Sequence, residues 1–234
     1  MGKENQGQEN FEQKRREFFA SFAMKHFSDF HLHKEFGVLE KQEGWRRVSE
    51  HCLVEAVAAD TLAKELNLSA DERQAMVTAA LLHDFYKRKE IEAEKQGGAK
   101  GMEYEMEHAR AILEERDVPP DIIKLMNAVE HTALERIVRD PKTLFTEKLM
   151  HYLDTITMES NIVSPDERID YFERRYHDVG ESGRAVFNGK SYWDVEREAC
   201  RAIGQEIARR LRLQKPEDVP GFIREKITRR IMEG

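Results

Sequence analysis

Met76-Val77-Thr78-Ala79-Ala80-Leu81-Leu82-His83-Asp84-Phe85-Tyr86-Lys87 runs from an uncharged, mostly apolar segment straight into a histidine beside an aspartate. Ser69 and Glu72 stand in capping-box spacing ahead of it, so a buried helix is predicted that starts at Ser69 and frays near Lys89. An ionised carboxylate at the end of a buried helix costs several kcal/mol, roughly, unless it is paired, hydrogen-bonded or bound to a metal. Asp84 therefore needs partners, and His83 beside it makes metal chemistry the reading to pursue. Lys87 lies three residues after Asp84 and shares its helix face.

Working outward, a helix is predicted from Trp45 to Leu66, with His51, Val54, Ala58 and Leu62 as its inward stripe. Before it, residues 1–9 read as disordered. From Phe11 a helix carries Phe18, Phe19, Phe22 and Phe27 at helical spacing, with His26, His31 and His33 read as surface histidines. Residues 90–103 are charged and glycine-rich and read as a loop, either a lid or a plain connection. Further helices are predicted over Tyr104–Glu115 (His108, Ala111 and Ile112 inward), from Pro119-Pro120 through His131 to Leu134, and from Lys142 to about Ser160. Asp154 is the only formal charge between Lys148 and Glu159. Ser164 caps a helix to about Tyr176, residues 177–190 form a loop, Ser191 caps a helix to Leu213, and a last helix runs over Phe222–Met232. No segment alternates like a strand, so the expected class is all-α. The expected organisation is an N-terminal tail and aromatic helix over 1–44, a core over 45–160, and C-terminal helices over 161–234 packing on that core as one structural domain.

The chain has 234 residues, 40% of them hydrophobic and 35% charged, which allows a substantial core under a polar surface. A net charge of -7 argues against an extended nucleic-acid surface, because such binding rests on neutralising phosphates. Cys52 and Cys200 lack metal-ribbon or redox spacing. No apolar run is long enough to span a bilayer, so no membrane partner is expected, and the polar N-terminus lacks a signal-peptide core. A cytoplasmic location is the expectation.

Six residues lie on or beside the apolar faces of five predicted helices: His51, His83, Asp84, His108, His131 and Asp154. The intervals are 32 residues from His51 to His83, 24 from Asp84 to His108, then 23 and 23. Each suits a helix and its return in a bundle, whose core gathers inward-facing groups. Singly, each histidine is compatible with an ordinary core or surface role; the joint pattern is what points to metal. Histidine nitrogen and carboxylate oxygen suit Fe, Mn, Co, Ni or Zn. His51, His83, Asp84 and Asp154 form one predicted ligand set. Asp84, bridging to His108 and His131, would complete a second, so one or two divalent ions are expected.

His51, His83-Asp84 and Asp154 resemble the H…HD…D signature of the HD superfamily of metal-dependent phosphohydrolases. The resemblance spans about residues 45–160 and includes Val48-Ser49-Glu50-His51 and Ala79-Ala80-Leu81-Leu82-His83-Asp84 with Lys87. It implies an HD-domain helical bundle with added N- and C-terminal helices. It also implies hydrolysis of a phosphoester or phosphoanhydride in a small phosphorylated metabolite, expected to be a nucleotide, with Asp84 and Lys87 as catalytic residues. His108 and His131 fit the binuclear subset. His131-Thr132 and Glu147-Lys148-Leu149-Met150-His151-Tyr152-Leu153-Asp154 look most similar to the bacterial diadenosine tetraphosphate hydrolase branch. The usual continuation of that branch is missing from Thr155-Ile156-Thr157-Met158-Glu159, so its substrate is not carried over. Glu130-His131 and the lack of a Gly-Tyr-Pro triplet count against cyclic-dinucleotide phosphodiesterases.

Two other functions share the pattern: a di-iron HD-type oxygenase and a non-catalytic ligand-sensing module. The C-terminal helices carry no readable motif and are open to capping the core, shaping the pocket or forming a homodimer face.

Overall fold

A computed structural model describes residues 2–40, 44–176 and 183–233. Over these residues the protein is all-α apart from one two-stranded hairpin. The central pair is α3 (Arg46–Glu65) and α4 (Ala70–Leu82). Both are rich in small side chains: Ala56, Ala58, Ala59 and Ala63 on α3, and Ala79 and Ala80 on α4, all fully buried. Small residues let two helix backbones approach closely, which makes this the most extensive helix–helix contact among the described residues. Asn67 ends α3 at φ 55, a left-handed turn that asparagine tolerates. The Ser69–Glu72 capping box then starts α4 as predicted.

Earlier in the chain, α1 (Gly2–Lys25) and α2 (Phe27–Glu35) lie against this pair. Residues 2–9, expected to be disordered, continue α1 as helix, in keeping with a Glu-, Gln- and Lys-rich composition. Two of the three expected surface histidines are buried. His33 is fully enclosed, with one ring nitrogen on the Leu81 carbonyl and Nδ1 3.0 Å from Ser49 Oγ. His26 packs on Phe22 at the break between α1 and α2. His31 is exposed, as expected.

Beyond α4 the chain departs from expectation. His83–Tyr86 form a turn, and α5 (Lys87–Glu115) begins at Lys87. The expected 90–103 loop is helical. Its glycines divide the helix into two segments: Gly98 is non-helical at φ 65, ψ -156, and the chain folds back there so closely that a side chain on Gly101 would meet the Ala93 carbonyl at 2.6 Å. The inward residues of α5 are Ala109 and Leu113, while His108 and Ala111 are exposed. The helix expected through His131 stops early. It becomes α6 (Pro120–Met126), a single 3₁₀ turn at His131–Ala133, and α7 (Leu134–Arg139).

The helix α8 (Phe145–Ile156) crosses both α3 and α4 and carries the fully buried Leu149, Met150, Leu153 and Ile156. It ends in the hairpin of β1 (Thr157–Met158) and β2 (Asn161–Ile162), which turns through Glu159 at φ 52. That tight reversal returns α9 (Pro165–Arg175) along α8. Residues 177–182 of the expected 177–190 loop, and 41–43 of the loop before α3, lie outside the described residues. The helices α10 (Tyr192–Leu211) and α11 (Asp218–Glu233) follow, with Ser191 capping α10 as predicted. They pack on α8 and α3, so one continuous core runs from Phe22 to Ile231. Among the described residues no helix is long and apolar enough to cross a membrane.

Candidate metal centre

Where α3, α4 and α8 meet, four side chains converge: His51, Glu55, His83 and Asp154, with one donor atom from each within 4.8 Å of all the others. His51 and Glu55 are one turn apart on α3, so they share a face. His83 is the residue that ends α4, and Asp154 lies in the last turn of α8. His51 Nε2 lies 3.0 Å from Asp154 Oδ1 and 3.5 Å from Glu55 Oε2. His83 Nε2 lies 3.6 Å from Glu55 Oε2 and 3.9 Å from Asp154 Oδ1. Donors in a tetrahedral site with bonds of about 2.1 Å stand about 3.4 Å apart, so these spacings bracket that value.

The second test of fit is polar satisfaction. Both carboxylate oxygens of Glu55 and Nε2 of His83 are buried without a hydrogen-bond partner. Groups left this way destabilise a fold by roughly 1–3 kcal/mol each. The other nitrogen of His83, Nδ1, donates to the Ala80 carbonyl at 2.9 Å. A carbonyl can only accept, so Nδ1 holds a proton and Nε2 is aimed at the cluster. Metal-binding histidines are oriented in the same way. These residues fit a cation, and the two-nitrogen, two-carboxylate set suits Mn, Fe, Co, Ni or Zn better than Mg or Ca.

Burial and mutual contact shift the proton affinities of all four donors. Burial pushes the Glu55 carboxyl up to about 8, against the pull of His83. Burial opposes a charge on His83 as well, but Glu55, Cys52 and Asp84 outweigh it and hold the imidazole well above its usual range. Asp154 is pulled the other way: burial would raise it, and Arg168 and His51 overcome that and hold it low. For His51, burial dominates and lowers its pKa despite the bond to Asp154.

The sequence reading placed Asp84 in the inner set and did not include Glu55. In the structure Asp84 adjoins the cluster through His83, at 3.7 Å, and its other oxygen is 3.5 Å from Lys87 Nζ. Burial would raise the Asp84 carboxyl, but Lys87 and His83 bring it down to about 2. Lys87 is 40% exposed and also reaches Glu90 at 3.4 Å. His108 and His131 are not brought to the cluster. The divided α5 leaves His108 exposed, with Nδ1 3.3 Å from Tyr86 Oη and 3.8 Å from Glu105. The 3₁₀ turn leaves His131 exposed, with Tyr192 as its ring neighbour. Neither shares a close contact with Asp84.

Two residues of the site were absent from the sequence reading. Glu55 carried a usable signal, being the only formal charge between His51 and Asp60 in an apolar run. Arg168 carried none. It projects from α9, donates to Asp154 Oδ1 at 2.9 Å and lies over the Phe172 ring.

A second buried group, His151, Glu196 and Cys200, sits between α8 and α10. Here every polar partner is supplied. His151 Nδ1 donates to the Ala128 carbonyl, Nε2 meets Glu196, and Thr155 donates to the same carboxylate. It is a satisfied ion pair that fastens α10 to α8.

A small cleft of about 50 Å³ opens beside His83. Tyr86, Glu90, Arg110, Asn127 and Glu130 are among its lining residues. Comparison of the chain with protein-family models, with curated proteins and with solved structures finds no match.

Proposed function

We propose that the protein is a metal-dependent hydrolase of the HD type, cleaving a phosphoester or phosphoanhydride bond in a small phosphorylated metabolite such as a nucleotide. The observation that carries this reading is the orphaned Glu55 carboxylate and His83 Nε2 inside a four-donor cluster. The resemblance of His51, His83-Asp84 and Asp154 to the HD signature supplies the reaction class.

His51, Glu55, His83 and Asp154 would hold a divalent Mn, Fe, Co, Ni or Zn ion. Such an ion, when bound, supplies Lewis acidity, polarising a phosphoryl oxygen and making water a better nucleophile at neutral pH. The chain's own residues do the rest. Arg168, largely buried, orients Asp154 through a charge-assisted hydrogen bond. Asp84 stays ionised across the working pH range and anchors the Lys87 ammonium. Lys87 is exposed enough to meet a phosphoryl oxygen, where a fixed positive charge favours the charge that builds during displacement. The cleft beside His83 takes the remainder of the substrate.

The test is a panel of phosphomonoesters and nucleotides run with Mn, Fe, Co, Ni, Zn and Mg, on the wild type and on Asp154→Asn. Metal-dependent product release that vanishes in Asp154→Asn is expected. Hydrolysis that persists in Asp154→Asn, or that needs no metal, would remove the proposed centre.

A further inference from the structure

Asp154 stands in the last turn of α8, which ends at Ile156. The final carbonyls of a helix have no intrahelical partner, so a last turn frays easily and fixes a ligand poorly by itself. Here the turn is held from behind. Asp154 meets His51 of α3 and Arg168 of α9, while His151 and Thr155, three residues before it and one after, both meet Glu196 of α10. The Thr155 hydroxyl is shared between the His151 carbonyl and Glu196 Oε1, 2.9 Å from each. His151 Nε2 lies 3.1 Å from Glu196 Oε2. The Tyr192 hydroxyl and the Cys200 thiol donate to the same carboxylate, at 3.4 Å and 3.6 Å. His151 Nδ1 donates to the Ala128 carbonyl at 3.0 Å, which extends the hold to the segment between α6 and the 3₁₀ turn.

A buried ion pair adds little net stability over well-packed apolar residues of the same volume, because desolvating both charges offsets their attraction. What the Glu196 carboxylate supplies is fixed geometry, since a fully satisfied buried network is rigid. We infer that Glu196 is a positioning residue of the metal centre. It acts through Thr155 and His151 to hold the last turn of α8, and with it the Asp154 carboxylate, in register with His51, Glu55 and His83. The inference rests on the metal reading of that cluster and gives α10 a part in it.

The experiment is titration of the chelator-stripped full chain with Co(II), followed by calorimetry and by the visible absorption of the bound ion, which reports the arrangement of its donors. Thr155→Val keeps the size of the side chain and removes the hydroxyl. It is expected to weaken Co(II) binding about tenfold, the loss of one hydrogen bond to a charged group, and to change the absorption bands. Thr155→Ser, which restores the hydroxyl, is expected to recover the wild-type affinity and spectrum. Glu196→Ala is expected to weaken binding at least as much as Thr155→Val; should it fail to fold, the two Thr155 variants decide. Wild-type affinity and spectrum in Thr155→Val or in folded Glu196→Ala, even with a lower urea midpoint, would show a purely structural role and overturn the inference while leaving the metal centre standing. Thr155→Ser behaving like Thr155→Val overturns it as well. A wild-type chain that binds no Co(II) overturns both the inference and the metal centre.

Discussion

His51 Nε2 and Asp154 Oδ1, 103 residues apart in the chain, lie 3.0 Å from each other in the core. The contact joins the first turns of α3 to the last turn of α8. The same oxygen accepts from Arg168, so one carboxylate serves two cationic or donor groups from two other helices.

Asp154→Ala therefore strips a partner from both His51 and Arg168. Leaving a buried charge unpaired costs about 3–5 kcal/mol. Urea unfolding of the chelator-treated protein should show a loss of that size. A loss below about 1 kcal/mol, the range of an exposed pair, would mean that the carboxylate is not a hub.

Lys87→Ala should separate chemistry from metal binding. Lys87 touches Asp84 and Glu90 and none of the four donors. Metal content is expected to stay at the wild-type level while turnover of a phosphorylated substrate falls about a hundredfold, as when a transition-state charge donor is removed. Loss of metal together with turnover would show that Lys87 acts on the cluster and not on substrate.

His33 sets an acid limit on stability. Burial lowers its pKa to about 4, although the Leu81 carbonyl pulls upward. The unfolded chain takes up a proton on this residue near the ordinary value of 6.5. Between those values the unfolded state holds more protons, so stability falls as pH drops from 6.5 to 4 and changes no further below that. The depression corresponds to about 3 kcal/mol over this window. Melting temperatures of the wild type and His33→Gln across it should show a shallower acid limb in the variant. Parallel curves would contradict the assignment.

The elements that could be read from the sequence are those whose signals are local. The Ser69–Glu72 and Ser191–Asp194 caps, the apolar stripe of α3 and the isolated charge of Asp154 all sit within a turn or two of what they determine. Glu55 obeys the same rule as Asp154, as a lone charge in an apolar run, and was equally legible. The misread parts depend on distant partners. Glycine and charge over 90–103 resemble a loop; the chain does reverse at Gly98, but helix continues up to that reversal on both sides, and Ala109 and Leu113 of the second segment are buried. That reversal returns His108 to Tyr86, where its side chain is exposed. His33 looked superficial because its enclosure is supplied by Ser49 and by Leu81, 48 residues later. Arg168 reaches Asp154 only because the 157–162 hairpin reverses the chain between them.

The central claim is that His51, Glu55, His83 and Asp154 form one metal site. Its most direct test is metal binding by the chelator-stripped chain, measured by calorimetry with Mn and Zn on the wild type and on Glu55→Gln, which keeps the shape of the side chain. The account predicts a single equivalent bound by the wild type, markedly weaker binding by Glu55→Gln, and a metal-dependent stabilisation of about 2.7 kcal/mol at a hundredfold excess over Kd. A wild-type chain that binds neither ion, or a Glu55→Gln chain that binds both as tightly as the wild type, would contradict it.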